Sequence, residues 1–150
     1  MSELGHAYGF RDLIVYQKAR AVAKDVFEAS KRFPKEETYS LTDQVRRSVR
    51  SIGAQVTEAW AKRRYERHFI SKLTDSDGEQ QETQHWIETA GDCGYLSKPE
   101  VARLVSQLSE VGRMLNSMIQ KADSFCGERP SAARESAASY FIGSQPPTDD

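Results

Sequence analysis

Apolar residues recur along much of the chain at steps of three and four, the interval that puts side chains on one face of an α-helix. Leu13, Tyr16, Ala19, Ala23 and Val26 do so in a first segment from about Arg11 to Arg32. Phe33 extends that face, and Pro34 stops it. A second segment, about Leu41 to Lys62, carries Leu41, Val45, Val49, Ile52, Val56 and Ala59 in a narrow, nearly heptad seam. Such a seam suits helices crossing at about 20°. Ser40 and Asp43 resemble a capping signal at its start.

A third segment, about Tyr65 to Asp92, is apolar only toward its ends, at Phe69, Leu73, Trp86, Ile87 and Ala90. Its middle, Thr74 to His85, has no strongly apolar side chain, which predicts a kink, a polar interior layer or local mobility near Gly78. Gly94 suits a left-handed C-cap. The fourth segment, about Lys98 to Phe125, opens on a Ser97/Glu100 capping box with Pro99 in the first turn. Its stripe of Val101, Leu104, Val105, Leu108, Val111, Met114, Leu115, Met118, Ile119 and Ala122 is broad enough to face two neighbours.

Four amphipathic helices joined by short loops predict an all-α fold, an antiparallel up-down-up-down four-helix bundle over residues 10–125. Residues 1–9 read as an N-terminal arm. Residues 126–150, rich in Ser, Ala and Pro with an acidic end, read as a flexible, disordered tail whose apolar cluster is Tyr140, Phe141 and Ile142.

Length and composition change this picture little: 150 residues, 29% of them charged, fit one ordinary globular domain. No apolar run approaches the roughly 20 residues that span a bilayer, so no membrane partner is expected. The first residues lack the order of a secretory signal, which favours the cytoplasm. Cys93 and Cys126 lack CxxC spacing and read as idle thiols. The net charge of −1 is low for a dedicated nucleic-acid binder. Its distribution is uneven. Arg46 to Arg67 holds seven Lys/Arg against two Asp/Glu, whereas Thr74 to Ser97 holds six Asp/Glu and no Lys or Arg.

Little in the chain suggests catalysis or a cofactor. Glu82 and His85 match one Glu-x-x-His motif, but carboxylate-bridged metal bundles need two such motifs and two further glutamates. No metal is therefore expected, and no nucleophile–base arrangement stands out. The basic residues are the better candidates. Arg46, Arg47 and Arg50 crowd the start of the second helix; Lys62, Arg63, Arg64 and Arg67 crowd its end. Arg46, Arg50, Gly53, Thr57 and Arg64 share one stripe beside the seam. They could form a solvated flank paired with the acidic third helix, a subunit interface, or a phosphate-binding surface. Arg47 points most directly outward and is the prime candidate for external contact. Glu82, if buried, needs a partner, and Arg46 or Arg47 could supply it as a register-fixing ion pair.

Five stretches in order resemble the four-helix-bundle proteins encoded by intervening sequences of bacterial large-subunit ribosomal RNA genes, a family that includes the accessory proteins of diversity-generating retroelements. They are Phe10 to Ala19, Phe33-Pro34 with Glu37, Tyr39 to Ile52, Glu82-Thr83-Gln84 with Trp86, and Asp92 to Leu96. The resemblance implies a non-enzymatic bundle that assembles with itself into a homopentameric ring. For the retroelement branch it implies binding of RNA or DNA and of a reverse transcriptase through basic surfaces. The chain departs from the family pattern at Gln55 to Trp60 and in its slightly acidic charge.

Overall fold

The computed structural model describes residues 7–127. Most of the expected N-terminal arm and tail, including Tyr140 to Ile142, lies outside the described residues. Four long helices carry the fold: α1 (Ile14–Ser30), α2 (Asp43–Ala61), α3 (Glu66–Asp92) and α4 (Lys98–Gln120), with no strand among the described residues. Each helix packs on two others, α1 on α2 and α4, α3 on α2 and α4. Cross-helix contacts run in opposite residue order in every neighbouring pair. On α1 and α4, Lys18 meets Glu110 and Asp25 meets Gln107. On α2 and α3, Arg47 meets Glu82 and Glu58 meets Lys72. The topology is the antiparallel four-helix bundle.

The core is built from alternating steps of three and four. Buried apolar side chains of α1 are Val15, Ala19, Val22, Val26 and Ala29. Those of α4 are Leu104, Leu108, Val111, Leu115 and Met118, continued by Ala122. All six residues of the expected second seam are buried, Leu41 in the turn before α2 and the other five in α2 itself. The α1 seam is rotated from the expected one. Val15 and Val22 are central, while Tyr16 and Ala23 are only partly buried. A phenol needs a polar partner when covered, and the Tyr16 hydroxyl accepts from Arg20 Nη1 at 3.2 Å at the surface.

The polar middle of α3 is an interior layer within an unbroken helix. Phe69, Leu73, Ser76, Gln80, Thr83, Ile87 and Ala90 form one buried seam, so the three polar members stand where leucines would. Each has partners. Ser76 Oγ donates to the Ile52 carbonyl at 2.9 Å, and the Thr83 and Ser48 hydroxyls are hydrogen-bonded at 2.8 Å. Gln80 Nε2 donates to Asp77 at 2.9 Å, and its carbonyl accepts from Gln84 at 2.8 Å. Burying these groups is tolerable because they are satisfied.

The helix ends follow local chemistry. Gly94, at φ 80°, closes α3 in a Schellman motif, with Tyr95 N donating to the Ala90 carbonyl at 2.9 Å and Gly94 N to that of Gly91 at 3.0 Å. Ser97 and Glu100 cap α4 reciprocally, with Pro99 in its first turn. The expected Ser40/Asp43 cap on α2 is absent. Thr38–Thr42 form a π-helical turn that feeds α2, so Thr42 is already helical (φ −58°, ψ −51°) and no orphan N–H awaits a side chain. α1 starts later than expected, after a 3₁₀ turn at Phe10–Asp12 in which Asp12 Oδ2 accepts from the amides of Tyr8 and Gly9. α4 ends earlier, at Gln120. A 3₁₀ turn at Ala122–Ser124 then brings Phe125 onto Phe69, with ring centroids 5.7 Å apart. Packing continues past the expected boundary at residue 125, because Cys126 is buried and Gly127 N donates to the Arg63 carbonyl at 2.9 Å.

Candidate nucleic-acid interface

The arginines that sequence spacing gathers into one surface occupy three settings. Arg46 and Arg50 lie on the α1 side of α2, against Phe27; their guanidinium carbons sit 4.7 and 5.5 Å from its ring centroid. Arg47 turns the other way, onto α3, where Nη2 lies 2.6 Å from Glu82 Oε2 and Nη1 3.7 Å from Glu79 Oε2. Lys62, Arg63, Arg64 and Arg67 occupy the α2–α3 turn and the start of α3. About 24 Å of helix separates Arg46 from Lys62.

Arg47 was expected to face outward for external contact or, with Arg46 as the other candidate, to pair with Glu82. It is half-exposed, but acidic α3 engages it, since its place on α2 faces Glu79 and Glu82 across the antiparallel pair. Glu82 also accepts from Trp86 Nε1 at 3.0 Å. Its carboxylate is thereby held by α2 and by its own helix, while His85 packs edge-on against Trp86. Burial pushes the neighbouring Glu79 carboxyl above its usual range, against the opposing pull of Arg47. No group of three or more His, Cys, Asp or Glu side chains suited to a metal occurs among the described residues.

At the α2–α3 turn, Arg63 stacks on Trp60 at 3.5 Å and donates from Nε to the Trp60 carbonyl at 3.0 Å. Half-burial there lowers its pKa from the ordinary guanidinium value. It covers a core tryptophan, while Lys62, Arg64, Tyr65 and Arg67 are exposed around it.

A surface concavity of about 690 Å³ runs between α1 and α2. Its floor is small and apolar: Ala19, Ala23, Val49, Gly53 and Ala54. Its rim carries Arg20, Lys24 and Arg50 with Tyr16 and Phe27, and among the described residues no carboxylate lines it. Arg50 also borders a shallower hollow on the flank of α2, with Asp43, Arg46 and Arg47. Among the described residues, Lys24, Arg46 and Arg50 have no carboxylate partner. Of the acids of α1, Asp25 turns to α4 and accepts from Gln107 at 2.9 Å, and Glu28 pairs with Lys31 at 3.2 Å. The result is a concave, positively charged strip of the kind that suits a phosphate backbone.

Sequence reasoning missed the α1 half of this strip. Tyr16, Arg20, Lys24, Phe27 and Lys31 recur at steps of three and four along one flank of α1, which was the available signal. The charge count covered only Arg46 to Arg67 and Thr74 to Ser97, and so passed over α1, where Asp25 and Glu28 are interleaved with these cations.

A family profile described as "23S rRNA-intervening sequence protein" matches residues 11–117. A crystal structure from Bacteroides thetaiotaomicron, described as a protein of unknown function from the S23 ribosomal protein family, superposes with a TM-score of 0.65 at 26% identity. The match covers 71% of this chain and 96% of that one. No curated protein matches the sequence. No described helix is long and apolar enough to cross a membrane.

Proposed function

The chain belongs to the family of 23S rRNA-intervening sequence proteins, and from that premise we propose that it is a non-enzymatic, self-assembling binding module that holds RNA or DNA along the groove between α1 and α2. One observation carries this reading: a groove of about 690 Å³ rimmed by Arg20, Lys24 and Arg50 and, among the described residues, lined by no carboxylate, on a chain whose net charge is −1. Among the described residues, no carboxylate pairs with these three cations. Phosphates are the natural counter-charge. Contacts of this type give affinity and salt dependence without reading sequence. Assembly into a homopentamer would repeat the strip around a ring and raise avidity without any new contact.

Binding of structured RNA and single-stranded DNA, titrated with salt, tests the reading. We expect micromolar binding at low salt that weakens steeply as salt rises. Arg20→Glu combined with Lys24→Glu should abolish it while circular dichroism stays unchanged. Absence of binding at low salt, or indifference to these substitutions, overturns it.

A second reading is an adaptor that meets a protein, for example a reverse transcriptase, without nucleic acid. The small groove floor favours it: Ala19, Ala23, Gly53 and Ala54 carry short side chains or none, which leaves the concavity to a partner's side chains. Light scattering with and without nucleic acid separates the two. The adaptor predicts assembly that is insensitive to oligonucleotide and lost with bulk at position 54, such as Ala54→Trp.

A further inference from the structure

Phe27 on α1 is surrounded by cations. The Lys31 ammonium lies 4.9 Å from its ring centroid, the Arg46 guanidinium carbon 4.7 Å and that of Arg50 5.5 Å. Three like charges around one ring repel each other, and the ring quadrupole offsets only part of that. Lys31 is moderated by Glu28, at 3.2 Å. Asp43 borders the same hollow but forms no ion pair with either arginine. Arg46 and Arg50 thus stand side by side with no carboxylate partner among the described residues.

Arg46 is also held in place. Ser30, 2% exposed, donates its hydroxyl proton to the Phe27 carbonyl at 2.9 Å. With that proton committed, the oxygen can only accept, and it accepts from Arg46 Nε at 2.7 Å. The guanidinium is therefore fixed at Nε by a buried hydroxyl and on one face by an aromatic ring. Its two Nη groups have no other hydrogen bond among the described residues. A fork fixed in this way loses little entropy on binding, and its geometry matches two oxygens of a phosphate.

We infer that Arg46 and Arg50, mounted on Phe27 and Ser30, form a phosphate subsite at one end of the α1–α2 groove, with Arg46 giving the bidentate contact and Ser30 acting as its positioning residue. The ligand is a phosphate group of a nucleic-acid backbone, so the inference rests on the function proposed above and names its anchoring contact. Lys24 and Arg20 continue the cationic line toward the other end of the groove.

The subsite distinguishes charge from geometry. Arg46→Lys keeps the charge but loses the fork and the Nε contact to Ser30. It should weaken oligonucleotide binding about tenfold while leaving the slope of log K against log salt nearly unchanged. Ser30→Ala keeps every cation and should weaken binding severalfold with the same unchanged slope. Arg46→Gln should weaken binding and lower the slope by about 0.7 to 0.9. Thermal melts of each variant check that the bundle persists.

The direct test follows the Arg46 Nε–H proton resonance of the whole chain during titration with inorganic pyrophosphate and, separately, with a single-stranded oligonucleotide. The inference expects the resonance to move with both, and to lose its response to either in Ser30→Ala. If pyrophosphate moves it but no nucleic acid binds, the subsite stands and the nucleic-acid reading falls. If nucleic acid binds while the Arg46 resonance and the Arg46→Lys affinity stay unchanged, the nucleic-acid reading stands and this inference is overturned. If neither ligand moves it, the inference is likewise overturned.

Discussion

The Gln80 side chain occupies the space that a Cβ on residue 112 would need: its Nε2 lies 2.6 Å from that position. Gly112 is buried in α4, so the α3 amide layer and the α4 glycine are complementary parts of one contact. The amide cannot swing away freely, because it is tied to Asp77 and Gln84.

Gly112→Ala is therefore expected to destabilise the bundle by about 1 kcal/mol, despite the roughly 1 kcal/mol that helix propensity alone favours alanine. Gly53→Ala is the control. Its Cβ would meet nothing closer than 3.7 Å, so it should stabilise by about 0.5–1 kcal/mol. Urea denaturation of both variants checks the opposite signs, and adding Gln80→Ala should recover part of the Gly112→Ala loss.

Ser48 and Thr83 couple α2 to α3 through one buried hydrogen bond of 2.8 Å. A double-mutant cycle with Ser48→Ala and Thr83→Val should return a coupling of about 0.5–1.5 kcal/mol, measured by chemical denaturation. Additive effects would mean that the two hydroxyls act independently.

Acid should weaken the contact between the turn that follows α1 and the start of α4. The Arg32 guanidinium, helped by the Ser97 amide, lowers the Glu100 carboxyl to about 2. A carboxyl depressed on folding contributes stability above its unfolded value, near 4.5, and loses it as pH falls toward 2. Wild-type stability should therefore drop across pH 4.5 to 2 more than that of Glu100→Gln, read from denaturation midpoints at each pH.

Alkali should act at the opposite sign on Tyr95. Its hydroxyl donates to Glu37 Oε2 at 2.9 Å, and that bond, with some burial, raises the phenol to about 12. A phenol raised on folding contributes stability below about 10 and loses it as pH climbs toward 12. Ultraviolet titration should resolve one late-ionising tyrosine that disappears in Glu37→Gln and in Tyr95→Phe.

The sequence carried the bundle because apolar side chains at three- and four-residue steps have few other ways to be buried. Val45, Val49, Ile52 and Val56 specify both the helix and its inward face. The polar run in α3 was ambiguous for a physical reason. Ser76, Gln80 and Thr83 keep the seam spacing, but spacing among polar residues says nothing until partners such as Ser48 and the Ile52 carbonyl are in place. The Ser40 cap was misread because an N-cap requires a chain that enters from a non-helical state, whereas the turn at Thr38–Thr42 is already wound. The arginine surface was legible only as composition. Whether Arg47 meets α3 and Arg50 meets α1 depends on a few tens of degrees of helix rotation, and the cations of α1 that complete the groove lie some thirty residues away.

Amide chemical-shift mapping with a single-stranded oligonucleotide tests the central claim most directly, with the Gly53 N–H on the groove floor as reporter. We expect shifts concentrated at Tyr16 to Phe27 and Val49 to Thr57, reversed by added salt. Shifts confined to the α3–α4 face, or no shifts at low salt, would contradict a nucleic-acid groove between α1 and α2.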